Sequence, residues 1–173
     1  MSGTDDITWT KLASRVMRGV LARKDRNYSM LASELRKLGA EESARSVEGK
    51  IQRGTFKFTF FVQSLSVVGA EYPSQWRVIV EAPGTWEQRA TRLLEAEMGM
   101  RPGITFIELS RRLCGIGVSI PTHSLSEQVT SGTYPLTLLL QCAAVLWIAD
   151  VERFIDYADL QAAAVASIPL SLL

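Results

Sequence analysis

Gly54-Thr55-Phe56-Lys57-Phe58-Thr59 returns as Gly132-Thr133-Tyr134-Pro135-Leu136-Thr137, 78 positions further along the chain. A repeat constrains the fold before any local propensity does, because each copy must build the same supersecondary unit. The echo extends outward. Leu31, Leu35, Gly39, Ser46 and Gln63 recur at the same offset as Leu109, Leu113, Gly117, Ser124 and Gln141. Tyr28, Val47 and Ile51 recur conservatively as Phe106, Leu125 and Val129. Nearer the start the offset is 77: Thr8, Trp9, Ala13 and Arg15 return as Thr85, Trp86, Ala90 and Arg92. One inserted residue is the only change of register between Thr8 and Gln63, which marks a tandem duplication.

Each copy reads as four helices, so the expected class is all-α. In the first copy Thr8 can cap a helix to Lys24, with Trp9, Leu12, Ala13, Val16 and Val20 on one face. Asn27 or Ser29 starts a second helix with Leu31, Leu35 and Leu38 inward, stopped by Gly39. Ser43 can cap a third helix ending at Gly54. Thr55 can cap a fourth, running to Val68 before Gly69. The alternation Phe56-Lys57-Phe58-Thr59-Phe60 has the period of a strand. The second copy carries Pro135 there, which suits the first turn of a helix and is excluded from a central strand. Both segments are therefore predicted helical.

The units occupy residues 1–70 and 85–150. A linker, 71–84, is punctuated by Pro73, Pro83 and Gly84. Residues 151–173 add a last helix, Val151 to Ala166, and a tail. Within the linker Trp76-Arg77-Val78-Ile79-Val80 has strand composition. Two readings stand: a short strand that pairs outside its own chain, or an extended linker packing Trp76 and Ile79 onto a unit.

With 173 residues, 47 % hydrophobic and 21 % charged, a core can form without disulfides or metals. Cys114 and Cys142 fall in apolar helical patterns and are read as reduced core residues. One histidine and two cysteines without ligand spacing predict no metal site. No cofactor is expected either. The most apolar run, Leu136 to Ala149, is shorter than the ~20 residues a bilayer span needs. No secretory signal precedes the first unit, and a cytoplasmic location is expected. His123 is the only histidine and sits beside a helix start, where capping or exposure suits it better than base catalysis. No phosphate-cradling glycine loop is present. Glu41, Glu42, Glu95 and Glu97 read as solvated surface. No catalytic constellation remains, and a non-enzyme is expected.

The net charge of +1 conceals an asymmetry. Residues 1–70 hold 12 Lys and Arg against 7 Asp and Glu, whereas residues 71–173 hold 7 against 11. Halves of opposite sign suit different partners.

The short second helix, its glycine stop and the third helix resemble the Cro/repressor type of helix-turn-helix. Ala32 stands where that family places a small residue in its second helix. Gly39 ends the helix, and Ile51-Gln52-Arg53-Gly54 matches the Ile-x-Arg/Asn-Gly close of the recognition helix. A further apolar helix, Phe56 to Val68, then closes the unit. The resemblance departs in spacing: the second helix is a turn longer and the segment from Gly39 to Gly54 is stretched. Lys50-Ile51-Gln52-Arg53-Gly54-Thr55-Phe56 also resembles the hallmark of an uncharacterised bacterial family of short helical domains. That likeness covers residues 8–69 well and 85–147 weakly. It implies a fold and a bacterial, phage or plasmid origin, with no established activity.

On a helical wheel the third helix turns Val47 and Ile51 inward. Arg45, Gly49, Gln52 and Arg53 share the opposite face, flanked by Ser46 and Lys50. Arginine and glutamine suit base edges, and Gly49 lets backbone approach. Arg15, Arg18 and Arg26, with Lys11, Arg23 and Lys24, are placed to meet phosphates. The equivalents in the second copy are His123, Ser124, Glu127, Gln128, Thr130 and Ser131, which lack that charge. The resulting expectation is a regulator or accessory factor that reads double-stranded DNA with the third helix of its first unit. The second unit would serve assembly, with a homodimer formed through it and the last helix. The alternative is a protein-binding adaptor or inhibitor on the same scaffold. Single-stranded binding through Phe56 to Phe61 is disfavoured, because the repeat puts those rings in a helix core.

Overall fold

Side-chain caps set several helix starts where the sequence placed them. The computed structural model describes residues 3–172, with side chains over 7–171. The first unit holds α1 (Gly3–Arg23), α2 (Tyr28–Lys37), α3 (Ala44–Arg53) and α4 (Phe58–Val68). Asn27 Oδ1 accepts from the Met30 N–H at 2.9 Å to open α2. Ser43 Oγ accepts from the Ser46 N–H at 3.1 Å to open α3. A 3-10 turn, Ser74–Trp76, leads into the short α5 (Arg77–Val80). The second unit follows with α6 (Trp86–Gly99), α7 (Phe106–Gly115), α8 (Thr122–Ser131) and α9 (Leu136–Leu146). Thr85 and Gln88 form a reciprocal capping box at the start of α6. A 3-10 turn, Val151–Arg153, precedes α10 (Tyr157–Ala166). The chain is all-α, and no strand occurs among the described residues.

Boundaries moved in three places. The first helix begins at Gly3, so Thr8 lies inside α1 rather than at its cap. The last helix begins at Tyr157, because Phe154 and Ile155 turn inward and end the 3-10 turn before it. The fourth helices begin at Phe58 and Leu136, with Lys57 and Pro135 as extended caps that make no side-chain cap bond.

Those caps join the two units. Lys57 and Pro135, equivalent in the repeat, form an antiparallel bridge. The Phe58 N–H donates to Tyr134 C=O at 2.9 Å, and the Leu136 N–H donates to Phe56 C=O at 3.0 Å. The strand-like alternation at Phe56 to Phe60 therefore has real content: Phe56 and Phe58 are buried, Lys57 is exposed, and the extended segment is short. Phe58 stacks on Tyr134 at 5.2 Å between centroids.

Packing is crossed between units. α1 lies on α9 and α6 lies on α4, so the first helix of each copy covers the fourth helix of the other. One continuous apolar core results, with Trp9, Phe61, Leu94 and Leu140 among its members. Each such side chain fully buried contributes roughly 1.5–3 kcal/mol relative to exposure. α10 packs on α1 and α9. The apolar run is thus mostly buried inside the molecule from Leu136 to Leu146.

The linker strand is corrected to a helix. Residues 74–80 form the 3-10 turn and α5, and Trp76 drives this by inserting into the core. Its ring meets Phe58 edge-on at 5.7 Å and lies 5.9 Å from Phe154. The Trp76 Nε1–H donates to Glu97 Oε1 at 2.8 Å. Gln75 Nε2 donates to the same oxygen at 3.0 Å. Arg101 Nη1 pairs with Glu97 Oε2 at 3.1 Å. Glu97 is buried, not the solvated carboxylate its sequence position suggested. Cys114 is likewise corrected: it is exposed, while Cys142 is buried, and burial pushes its thiol up to about 12. Both cysteines are free.

A buried carboxylate with three donors is costly to interrupt. Glu97→Ala should lower unfolding stability in urea by about 3–5 kcal/mol, because Trp76 and Arg101 lose their common acceptor. A loss under ~1 kcal/mol would mean that water replaces the carboxylate readily.

Candidate nucleic-acid interface

The position of α3 is fixed by a glycine. Gly54 ends α3 in the left-handed region at φ 67°. A Cβ there would stand 1.9 Å from Thr10 C=O on α1. Gly132 ends α8 at φ 69°, and its Cβ would stand 2.1 Å from Glu87 C=O on α6. The repeated glycine thus serves backbone contact between first and third helix, as well as the turn itself. Val47 and Ile51 are buried beneath α3.

The opposite face is only partly free. Arg45, Gln52 and Arg53 are exposed. Ser46, Gly49 and Lys50 are half-buried. Ser46 Oγ donates to Glu42 Oε2 at 2.7 Å. Lys50 forms an ion pair with the other oxygen of Glu42 and lies over the Phe60 ring, 5.3 Å from its centroid. The Glu42 side chain is 10 % exposed, so it is a fixed structural anion rather than solvated surface. Gln52 Nε2 donates to Glu48 Oε1 at 3.0 Å. Arg53 folds back across Gly49, with Nη1 3.0 Å from where a Cβ would be. Gly49 therefore makes room for Arg53.

α1 brings further cations beside this face. Lys11, Arg15 and Arg18 line an open groove of about 960 Å³ with Gln52 and Arg53. Tyr28, at the start of α2, lines it too. Its far wall is α10, through Asp159, Ala162 and Ala166. Arg15 pairs with Asp159 at 2.8 Å. Arg26 is exposed in the turn between α1 and α2 and does not line the groove. Arg45 lies outside it as well. The sequence-derived set therefore divides in three. Arg15, Arg18, Gln52 and Arg53 converge on the groove; Ser46 and Lys50 are held by Glu42; Arg45 and Arg26 belong to neither group.

Sequence reasoning missed Glu42 and Asp159. Glu42 lies eight residues from Lys50, and the residues between them turn from loop into helix. Asp159 lies in a different element from Arg15 altogether. Only the wall made by α10 reveals it.

The second unit lacks this surface. Lys11, Arg18 and Arg53 are replaced in the repeat by Gln88, Glu95 and Ser131. His123 is exposed in the first turn of α8, with Nε2 3.3 Å from Ser124 Oγ, and has no acid–base partner positioned for catalysis among the described residues. No group of His, Cys, Asp or Glu that could hold a metal ion occurs among the described residues. No described helix is long and apolar enough to cross a membrane.

No curated protein and no solved structure matches the chain. A family model described as a domain of unknown function, DUF6471, matches residues 9–72 and again residues 86–151. Together the two matches cover most of the sequence and coincide with the two structural units, so the chain belongs to this family as a tandem pair of its domain.

Proposed function

We propose that this chain is a cytoplasmic DNA-binding factor, a regulator or accessory protein that engages duplex DNA with α3 and α1 of its first unit. The observation that carries the proposal is the convergence of Lys11, Arg15, Arg18 and Arg53 on one groove, together with the exposure of Arg45 and Gln52 on α3. Phosphate contacts from α1 would fix orientation, while Arg45, Gln52 and Arg53 meet base edges. The replacement of Lys11, Arg18 and Arg53 in the second copy supports a division of labour. No catalytic role is proposed for any residue.

In this proposal the second unit serves assembly. Inside the chain it is the packing partner that closes the core of the first. Between chains, a homodimer would place two α3 helices on half-sites about 34–36 Å apart. The surface that suits it is the face of α10 turned away from the groove, where Ala158 and Val165 are exposed.

A protein-binding adaptor is the second reading. Glu42 favours it, because it neutralises Lys50 and occupies Ser46 on the face that would enter the groove of DNA.

Two variants test the DNA proposal in one salt titration against random-sequence duplex. Arg45→Ala/Arg53→Ala should weaken binding at least ~10-fold and flatten the dependence of log K on log salt by about 1–2. Asp159→Asn should do the reverse. It frees Arg15 for a phosphate, so affinity at low salt should rise and the slope should steepen by about 0.9. Failure of the wild type to bind near ~50 mM salt would remove the DNA proposal in favour of the adaptor. Binding that ignores Arg45 and Arg53 would place the interface elsewhere.

A further inference from the structure

Gly69 closes α4 in the left-handed region at φ 64°. Its equivalent in the repeat is Trp147, which closes α9 in the same conformation at φ 54°. Glycine adopts this conformation freely, whereas a bulky side chain is strained there. The strain brings no burial, since Trp147 is 65 % exposed. Trp9 and Trp76 are buried and Trp86 is half-buried.

The exposed ring is nevertheless held firmly. Arg101 Nε donates to Leu146 C=O at 2.5 Å and its Nη2 donates to Trp147 C=O at 3.1 Å. Tyr157 stacks on one face of the indole, with centroids 4.9 Å apart and planes 14° from parallel. The Tyr157 hydroxyl donates to Ala143 C=O at 3.1 Å. Burial, and then the nearby Glu152 carboxylate, push that hydroxyl up to about 12, with Arg101 opposing. A strained, clamped and solvent-facing tryptophan is the kind of backbone outlier that accompanies function.

Charge indicates what it takes. Glu152, whose charge reaches the Tyr157 hydroxyl, and Asp156, the residue before Tyr157, are exposed. Neither forms a salt bridge among the described residues, although both line a small groove with Arg15 and Arg23 of α1. Residues 71–173 hold 11 acidic against 7 basic side chains. Asp150 and Arg153 neutralise each other at 2.7 Å. The Arg101 guanidinium is spent on three main-chain carbonyls, of Glu97, Leu146 and Trp147, and on the Glu97 carboxylate. A phosphate backbone would meet these carboxylates, which disfavours base stacking as the purpose of the ring. A guanidinium laid on an indole face, with carboxylates at its edge, satisfies every feature.

We infer that Trp147, supported by Tyr157 and flanked by Glu152 and Asp156, is a docking site for an arginine-bearing basic segment of a partner protein. Tyr157 belongs to α10, whose other residues wall the DNA-binding groove, but the dock uses none of the groove's cations and stands whether or not that groove binds DNA. Tryptophan anchors of this kind dominate interface energetics when a partner covers them.

Fluorescein-labelled octa-arginine tests this on the full chain by anisotropy, with octa-glutamate and oligo-dT as controls. The wild type should bind octa-arginine and neither control. Trp147→Gly, which copies the first unit, should weaken binding about 5–10-fold while leaving the melting temperature unchanged or raised. Glu152→Gln/Asp156→Asn, both exposed positions, should weaken binding and reduce its salt dependence. Undiminished binding by Trp147→Gly would overturn the inference. So would a lowered melting temperature in that variant combined with normal binding by the double carboxylate variant, since Trp147 would then be a structural stack. Preference for oligo-dT would also overturn it.

Discussion

Everything in this molecule depends on two hydrogen bonds that are the same bond seen twice. The Phe58 N–H donates to Tyr134 C=O, and the Leu136 N–H donates to Phe56 C=O. Exchange the two copies and each becomes the other. Helix starts leave N–H groups without partners inside the helix, and neither fourth helix has a side-chain cap. Each copy therefore satisfies the other's orphaned donor. Around this bridge the rings of Phe58, Tyr134, Trp76 and Phe154 close the space. α1 reaches over to α9 and α6 to α4. Two sequence repeats have thus become one core, with each fourth helix packed between its own second helix and the first helix of the other copy.

Sharing a core lets the copies diverge outside it. The junction demands aromatic or apolar residues at 56, 58, 134 and 136, and the glycines at 54 and 132 must admit the backbone of α1 and α6. The outward faces of α3 and α8 lie outside that junction, and on α3 Glu42 fixes Ser46 and Lys50. The first copy carries cations there and the second does not. Changes inside the second copy needed compensation. Glu97 stands where the first copy has Val20. It persists because the linker delivers Gln75 and Trp76 to its carboxylate and Arg101 covers the remaining oxygen. Trp147 stands where the first copy has Gly69, at a backbone cost of roughly 1–2 kcal/mol, and Arg101 and Tyr157 hold it in place. Residues outside the helices of the repeat, Gln75, Trp76, Arg101 and Tyr157, are the supports of these departures.

The duplication, the helical class and the start of α2 and α3 were legible in the sequence because they rest on short-range causes: periodicity, a capping oxygen, a glycine after the last turn. The junction was half legible. Alternation at Phe56 to Phe60 and Pro135 in the copy pointed to opposite structures. Each was right over its own few residues, with an extended cap followed at once by a helix. Composition at Trp76 to Val80 misled, because β-branched residues fit a strand only where a neighbouring strand exists. Here the tryptophan finds an aromatic pocket, and the segment coils to deliver it.

The functional surface was less legible, for a reason that a helical wheel makes plain. A wheel sorts side chains by direction but says nothing about what meets them. It correctly turned Arg45, Gln52 and Arg53 outward, because Val47 and Ile51 had to turn inward. It could not show that Lys50 would be held by Glu42 from the loop before α3, or that Arg15 would meet Asp159 on a helix more than 140 positions away. Charges on opposite sides of the chain find each other only once the core has set the helices side by side. The free charge of a surface is therefore a tertiary quantity. Here it is concentrated where α1 runs beside the end of α3, and the glycine at 54 is what allows those two helices to approach.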